Sequence, residues 1–277
     1  MEKFNVVDKI IMAALDEDLT SYDLTSEYLF DENHFSKAKL IAKEDGVISG
    51  VDVFERTFSL VDSDVHIHWY VSPGDSIKRG EILAEIEGRT KSLLFAERTG
   101  LNFIQRLSGI ATETRKYVQQ VELYSTKIVD TRKTAPGMRV LDKRAVKDGG
   151  GYNHRFNLSD GILIKDNHIQ ASGGISQAIK KVKEHVPHTM KIEIEVESLE
   201  GLSEAIDAGA DIVMLDNMTD EMMEIAVKNA SGKVLIEASG NMTLERVEKV
   251  AKLGVDIISV GALTHSVRAL DISLRFV

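Results

Sequence analysis

Between Asp130 and His168 the chain reads DTRKTAPGMRVLDKRAVKDGGGYNHRFNLSDGILIKDNH, and the side chains able to do chemistry are concentrated there. From Lys127 to Lys165 nine Lys or Arg stand against four Asp, within a protein whose formal net charge is -10, so cations have been gathered against the general balance. Arg132, Lys133, His154, Arg155, Lys165 and His168 lie among turn-forming Gly, Asn and Asp, after two short apolar runs. Such a group suits a small molecule with several negative charges, because planar guanidinium forks grip carboxylates and phosphates through paired hydrogen bonds. Further along, polar residues recur at the ends of apolar runs: Glu195 and Glu197, Asp216 and Asn217, Glu237 with Ser239-Gly240-Asn241, then Gly261-Ala262. Glu195 and Asp216 make an acidic pair competent for a metal, and Ser239-Gly240-Asn241 ahead of a helix at Thr243 offers backbone N–H groups to a phosphate. Together these residues point to transfer from a phosphorylated, Mg²⁺-bound substrate to an anionic partner.

The elements that must position them can be read from periodicity. After Tyr124 short apolar strands alternate with helices: 127–129, 161–164, 191–196, 211–215, 233–236 and 257–260. Ser198, Thr219 and Thr243 are N-cap candidates, while Gly209 and Gly254 fall just past C-termini. AGADIVMLD and LGVDIISVG echo one another, pairing Gly209 with Gly254 and Asp211 with Asp256, which argues for repeated βα units around a parallel sheet. Roughly 150 residues are too few for a full eight-stranded barrel, so the expectation is an incomplete, open α/β barrel with the polar residues on its C-terminal rim.

The earlier part reads as a smaller α+β domain. Phe4, Val7, Ile11 and Leu15 take helical spacing. Lys37–Ser49 turns at Asp45-Gly46, read as a hairpin, and Val65–Val71 and Ile82–Ile86 form a strand pair with Pro73-Gly74 and Gly80 in tight turns. Ser92–Val121 is helical, and its Gly100 and Gly109 permit close packing. Arg98 and Arg106 share roughly one face of it, and Arg106 is read as a solvated charge. The domains are expected at 1–112 and 113–277, with the C-terminal end returning towards the first.

Composition removes whole classes of function. The chain has no cysteine, which excludes disulfides, thiolate nucleophiles and Cys-based zinc sites. It carries no Walker A loop, GxGxxG or GxSxG elbow. An acidic balance argues against binding nucleic acid through phosphate neutralisation. The N-terminal stretch reads as a helix rather than a signal peptide, and no run approaches bilayer length, so a cytoplasmic protein is the expectation.

Several phrases carry a family likeness: ERTGLNFIQRLSGIAT (97–112), DTRKTAPGMR (130–139), GGGYNHRFNLSDGILIKDNH (149–168), EIEVESLE (193–200), IVMLDNM (212–218), EASGN (237–241) and ISVGALTHSVRALDISLRF (258–276). In this order they resemble the quinolinate phosphoribosyltransferases, also called nicotinate-nucleotide pyrophosphorylases (carboxylating). The resemblance implies that quinolinate and 5-phosphoribosyl-1-pyrophosphate give nicotinate mononucleotide, pyrophosphate and CO₂ with Mg²⁺, in a homodimer or higher homo-oligomer with shared active sites. It assigns Thr131, Arg132, Lys133, His154, Arg155 and Lys165 to the quinolinate and pyrophosphate site, and Arg98 to the neighbouring subunit's site. Glu195 and Asp216 fall near the ribose and metal; Ser239, Gly240, Asn241, Val260, Gly261 and Ala262 fall in the 5′-phosphate loops. Lys133, Lys165, Glu195 and Asp216 are the expected catalytic set. Arg139 and Lys143 are further candidates for the anion site. The alternatives are a paralogue on the same scaffold acting on another aromatic acid, including nicotinate or the molybdenum-transport-associated relatives, and a non-catalytic nucleic-acid binder using the basic stretch.

Overall fold

The computed structural model describes residues 6–19 and 23–277; Phe4, assigned above to the opening helix, lies outside them. The chain begins with α1 (Val6–Asp18), α2 (Leu24–Leu29), β1 (Phe35–Ala42), β2 (Gly46–Val47), α3 (Val51–Val61), β3 (His66–Trp69), β4 (Ser76–Ile77), β5 (Ile82–Arg89) and α4 (Thr90–Gln120). It continues as β6 (Lys127–Val129), α5 (Arg139–Asp148), β7 (Ile162–Ile164), α6 (Asp166–Ser172), α7 (Ile175–Lys183), β8 (Ile192–Val196), α8 (Leu199–Ala208) and β9 (Ile212–Asp216). The last elements are α9 (Asp220–Ala230), β10 (Leu235–Ser239), α10 (Leu244–Lys252), β11 (Ile257–Ser259), α11 (Ala262–His265) and β12 (Ile272–Phe276). These elements form two compact units. One contains the described residues up to Arg115 with Thr134–Gly150 and Leu263–Val277; the other contains Lys116–Lys133 and Gly151–Ala262.

The first unit is built on an antiparallel sheet of order β12-β1-β5-β3. Alternate residues Ala38, Leu40 and Ala42 of β1 are buried, as the two-residue period of a strand with one covered face requires. They join Phe54, Phe58, Leu93, Ile104 and Leu274 in one apolar core. Gly100 packs beneath Phe54 and Phe58, and a Cβ on Gly109 would meet the carbonyl oxygen of Arg268 at 2.2 Å, so both glycines serve close approach.

Two sequence expectations fail here for physical reasons. Asp45-Gly46 does not close a hairpin: β2 pairs with β4, while β1 takes β12 and β5 as neighbours. The Asp45 carboxylate instead accepts the Arg79 N–H at 2.9 Å, and Gly46 is glycine because a Cβ would meet Leu270 at 2.7 Å and Thr112 Oγ1 at 2.8 Å. Arg106 is not a solvated charge. Its guanidinium holds the fully buried Asp142 through two bonds of 3.0 and 2.9 Å.

The second unit carries a six-stranded parallel sheet of order β6-β11-β10-β9-β8-β7, with helices following its strands. Five of the six strands lie within a residue of their expected positions, while β10 sits later, at Leu235–Ser239 rather than 233–236. Ser198 and Thr219 cap α8 and α9 by accepting the N–H groups of Gly201 and Met222, and Gly209 ends α8 in the left-handed conformation. Thr243 is at the N-cap of α10 without a side-chain bond to the backbone. The sheet does not close into a barrel: β6 and β7 are its edges. Beside β6 runs the segment 151–155, whose Tyr152 makes a parallel bridge to Val129 and exchanges backbone bonds with Ile128 and Asp130. Among the described residues no helix is long and apolar enough to cross a membrane.

Candidate active site

A cavity of about 570 Å³ opens at the C-terminal ends of the parallel strands. Strand alternation selects its lining. Register pairs Glu195 with Met214, Met214 with Glu237 and Asp216 with Ser239, so these residues share one face while Ile194, Val213 and Ala238 are buried on the other. Thr131, Arg132, Lys133, His154, Arg155, Lys165, Glu195, Asp216, Ser239, Gly240 and Asn241 all line this cavity, as do Asn217, Glu237 and Ser259. All belong to the second unit. Arg98 is exposed on α4 of the first unit, and Arg139 and Lys143 lie on α5, with Lys143 fully buried. Val260 is buried, its N–H bound to the Val129 carbonyl at 2.9 Å, and neither it nor Gly261 and Ala262 line the cavity.

Asp130, at the end of β6 and fully buried, orients the basic segment. It accepts the His154 N–H at 2.9 Å and the Asn153 amide at 2.6 Å. Arg155 donates through one guanidinium nitrogen to the Gly161 carbonyl at 3.1 Å, while its buried Nε has no hydrogen-bond partner among the described residues. Burial and then the like charge of Arg132 push the Arg155 guanidinium below its ordinary value, against the pull of Glu193. A buried donor left in this way is costly unless an anion meets it. Lys165 Nζ bonds to Glu195 Oε2 at 2.5 Å. His168 plays a structural part: its Nδ1 accepts the Lys165 N–H at 2.9 Å and caps α6.

The loops after β9 and β10 press together. Gly240 has φ +90°, and a Cβ there would meet Asn217 Oδ1 at 2.1 Å and Asn217 N at 2.9 Å. Asn217 and Asn241 take positive φ of 52° and 49°, a region that asparagine enters more readily than most residues. The result is a cradle of backbone and short amides at the head of α10, suited to a phosphate.

Deeper in the sheet is a cluster that the sequence reading did not assemble. His154 Nε2 lies 3.1 Å from Glu193 Oε2 and 3.8 Å from Glu237 Oε1. Glu193 and Glu237 are buried, and Oε1 of each has no hydrogen-bond partner among the described residues. Burial, then the Glu193 charge, push the Glu237 carboxyl up to about 7, with His154 and the Ser259 hydroxyl opposing. Three donor atoms within 4.8 Å also fit the description of a metal group. The imidazole opposes that reading. His154 Nδ1 accepts the Arg155 N–H at 2.8 Å, so the ring hydrogen sits on Nε2, which faces the carboxylates as a donor and not as a ligand. The signal for this cluster was in Ile-Glu-Ile-Glu-Val, where a period of two puts Glu193 on the face of Glu195.

Comparison with known proteins gives matches over most of the chain. The quinolinate phosphoribosyl transferase N-terminal domain matches residues 23–108 and the C-terminal domain residues 110–275. A probable nicotinate-nucleotide pyrophosphorylase [carboxylating] of Bacillus subtilis is 46% identical over 258 residues, covering 93% of this chain and 89% of the relative. A mitochondrial quinolinate phosphoribosyltransferase [decarboxylating] of Nicotiana tabacum is 40% identical over 286 residues, covering 96% and 81%. The crystal structure of NadC from Streptococcus pyogenes superposes with a TM-score of 0.94 at 43% identity, covering 98% of this chain and 97% of that one. Human nicotinic acid phosphoribosyltransferase, at 12% identity and a TM-score of 0.63 over 96% of this chain and 73% of that one, shares the fold alone. The chain belongs to the quinolinate phosphoribosyl transferase family, whose two domains it carries in order.

Proposed function

We propose that this protein transfers the phosphoribosyl group of 5-phosphoribosyl-1-pyrophosphate to quinolinate and releases pyrophosphate and CO₂, forming nicotinate mononucleotide for NAD biosynthesis. The observation that carries the reading is one cavity holding Arg132, His154, Arg155 and Lys165 beside Glu195, Asp216 and the Asn217–Gly240–Asn241 cradle. Two adjacent carboxylates on quinolinate match two guanidinium groups, and the cradle matches the 5′-phosphate.

The residues then divide the work. Arg132 and Arg155 hold the diacid so that its ring nitrogen faces the ribose carbon in line with the departing pyrophosphate. Departure leaves positive charge on the ribose, which Glu195 and Asp216 stabilise from the rim. Lys133 and Lys165 neutralise the leaving pyrophosphate. Lys165 already holds Glu195, which leaves Asp216 as the carboxylate for Mg²⁺. One acid plus substrate phosphates fits the habit of Mg²⁺, which keeps waters and few protein ligands. When bound, the ion supplies charge neutralisation on the pyrophosphate oxygens. Attack makes the ring nitrogen quaternary, and the cationic ring can then accept the electron pair of the adjacent C–CO₂⁻ bond.

Arg98 completes the site from a second copy of the chain in a homodimer or larger homo-oligomer. Its exposure on a helix of the other unit supports that part of the reading. An assay of pyrophosphate and CO₂ from purified protein tests the whole: both are expected in equal amounts with quinolinate, and turnover of nicotinate in its place would overturn the assignment in favour of a monoacid enzyme.

A further inference from the structure

The reaction just proposed leaves a gap, and this inference rests on that reading. Loss of CO₂ breaks the bond between the ring carbon and its carboxylate and leaves the electron pair on carbon. A proton must arrive there to form the new C–H bond, so each turnover consumes one proton inside the cavity that holds Arg132, Lys133, Arg155 and Lys165. Arginine gives up no proton near neutral pH, and Lys165 is committed to Glu195. The His154 Nε2 hydrogen is already directed at Glu193.

Glu237 is differently placed. It is the third residue of β10, one inward-facing position below Ser239, and it lines the cavity from within the sheet. A second cavity, of about 420 Å³, lies at the opposite ends of the strands, lined by the first residues of β7, β9 and β11 (Ile162, Ile212 and Ile257) together with Lys191 and Asp160. His154, Arg155 and Glu237 line both cavities. The carboxyl therefore stands between the substrate chamber and a separate opening.

We propose that Glu237 is the general acid that protonates the ring carbon as the C–CO₂⁻ bond breaks, and that the second cavity returns the proton to it from solvent. The O–H bond of Glu237 breaks as the electron pair of the C–CO₂⁻ bond becomes the new C–H bond and CO₂ departs; Glu237 is left as the carboxylate, and a proton from water then restores it. Of the groups that face it, the Glu193 carboxylate from β8 holds the proton in place, while the His154 imidazole from 151–155 and the Ser259 hydroxyl from β11 favour its release; Arg155 lines the same cavity. The raised value of Glu237 suits an acid working near neutrality. Glu193, fixed by His154, is the positioning residue whose charge keeps the proton on Glu237.

Single-turnover measurement of pyrophosphate and CO₂ separately tests this. In wild-type protein the two should appear in a ratio of one. Glu237→Gln should release pyrophosphate within a few-fold of the wild-type rate, slow CO₂ release at least tenfold and accumulate quinolinate mononucleotide. Glu193→Gln should move the pH at which the CO₂ step loses rate to a lower value and leave the pyrophosphate step in place, so the proposal stands or falls on this variant if the first does not fold. A ratio that stays at one in Glu237→Gln, or a CO₂ profile unmoved in Glu193→Gln, would overturn it. Wild-type protein that makes neither product would overturn the reaction itself, and the role of Glu237 with it.

Discussion

Arg155 holds a cation in a place that favours it only when an anion is present. Its Nε is buried without a partner among the described residues, and burial with Arg132 already works against its charge. Arg155→Ala would leave a substrate carboxylate desolvated and unpaired, at about 2–5 kcal/mol, so kcat/KM for quinolinate is expected to fall at least about 30-fold with the fold intact. Steady-state kinetics alongside circular dichroism checks both halves of that statement. Glu237 makes a prediction on stability. Below about pH 4.5 it is protonated in both the folded and unfolded chain; between there and about 7 the unfolded chain releases the proton and the folded one keeps it. Folding therefore loses stability as pH rises through that window, at up to roughly 1.4 kcal/mol per pH unit. Glu237→Gln should flatten that slope in urea melts taken between those pH values. A slope unchanged by the substitution would place the loss elsewhere.

At the scale of elements, the rim is made by strand ends and the turns that follow them. Gly240→Ala would force a Cβ into Asn217 while straining a left-handed residue, so the cradle must open. The expected outcome is a rise in KM for 5-phosphoribosyl-1-pyrophosphate of tenfold or more with a smaller change for quinolinate, read from initial rates with each substrate varied. These strands and caps were legible in the sequence because period-two runs and Ser, Thr or Gly at helix ends are local signals. What was not legible was nonlocal. Asp45-Gly46 carries the chemistry of a hairpin turn, yet the glycine answers to Leu270 and Thr112, and the carboxylate to Arg79. Arg106 likewise looked solvated because its partner Asp142 is 36 positions away in the chain. The Glu193–Glu237–His154 cluster escaped for the same reason, since three separate elements bring it together.

For the whole molecule, the reading rests on shared sites. Arg98→Ala and Arg155→Ala should each be inactive alone if Arg98 serves the other copy. Mixed after reversible dissociation, random pairs of a dimer should recover on the order of a quarter of wild-type activity, because one site in each mixed pair keeps both arginines. No recovery, with subunit exchange verified by mass, would count against sharing. Fold class and the basic stretch were visible in residue patterns; the open edge between β6 and β7, flanked by 151–155, was not, because a single bridging residue leaves no periodic trace. The sheet of the first unit has a consequence for how the protein is made. β1 sits between β5 and β12, and β12 is translated about 230 residues after β1. On the ribosome β1 and β5 can pair early, but one side of β1 must stay bare until the parallel strands have all been synthesised. A growing chain with an unpaired edge is open to mispairing with its neighbours on the same message. Stalling translation before Ile272 should therefore leave nascent chains that chaperones retain, while chains extended past Phe276 should be released.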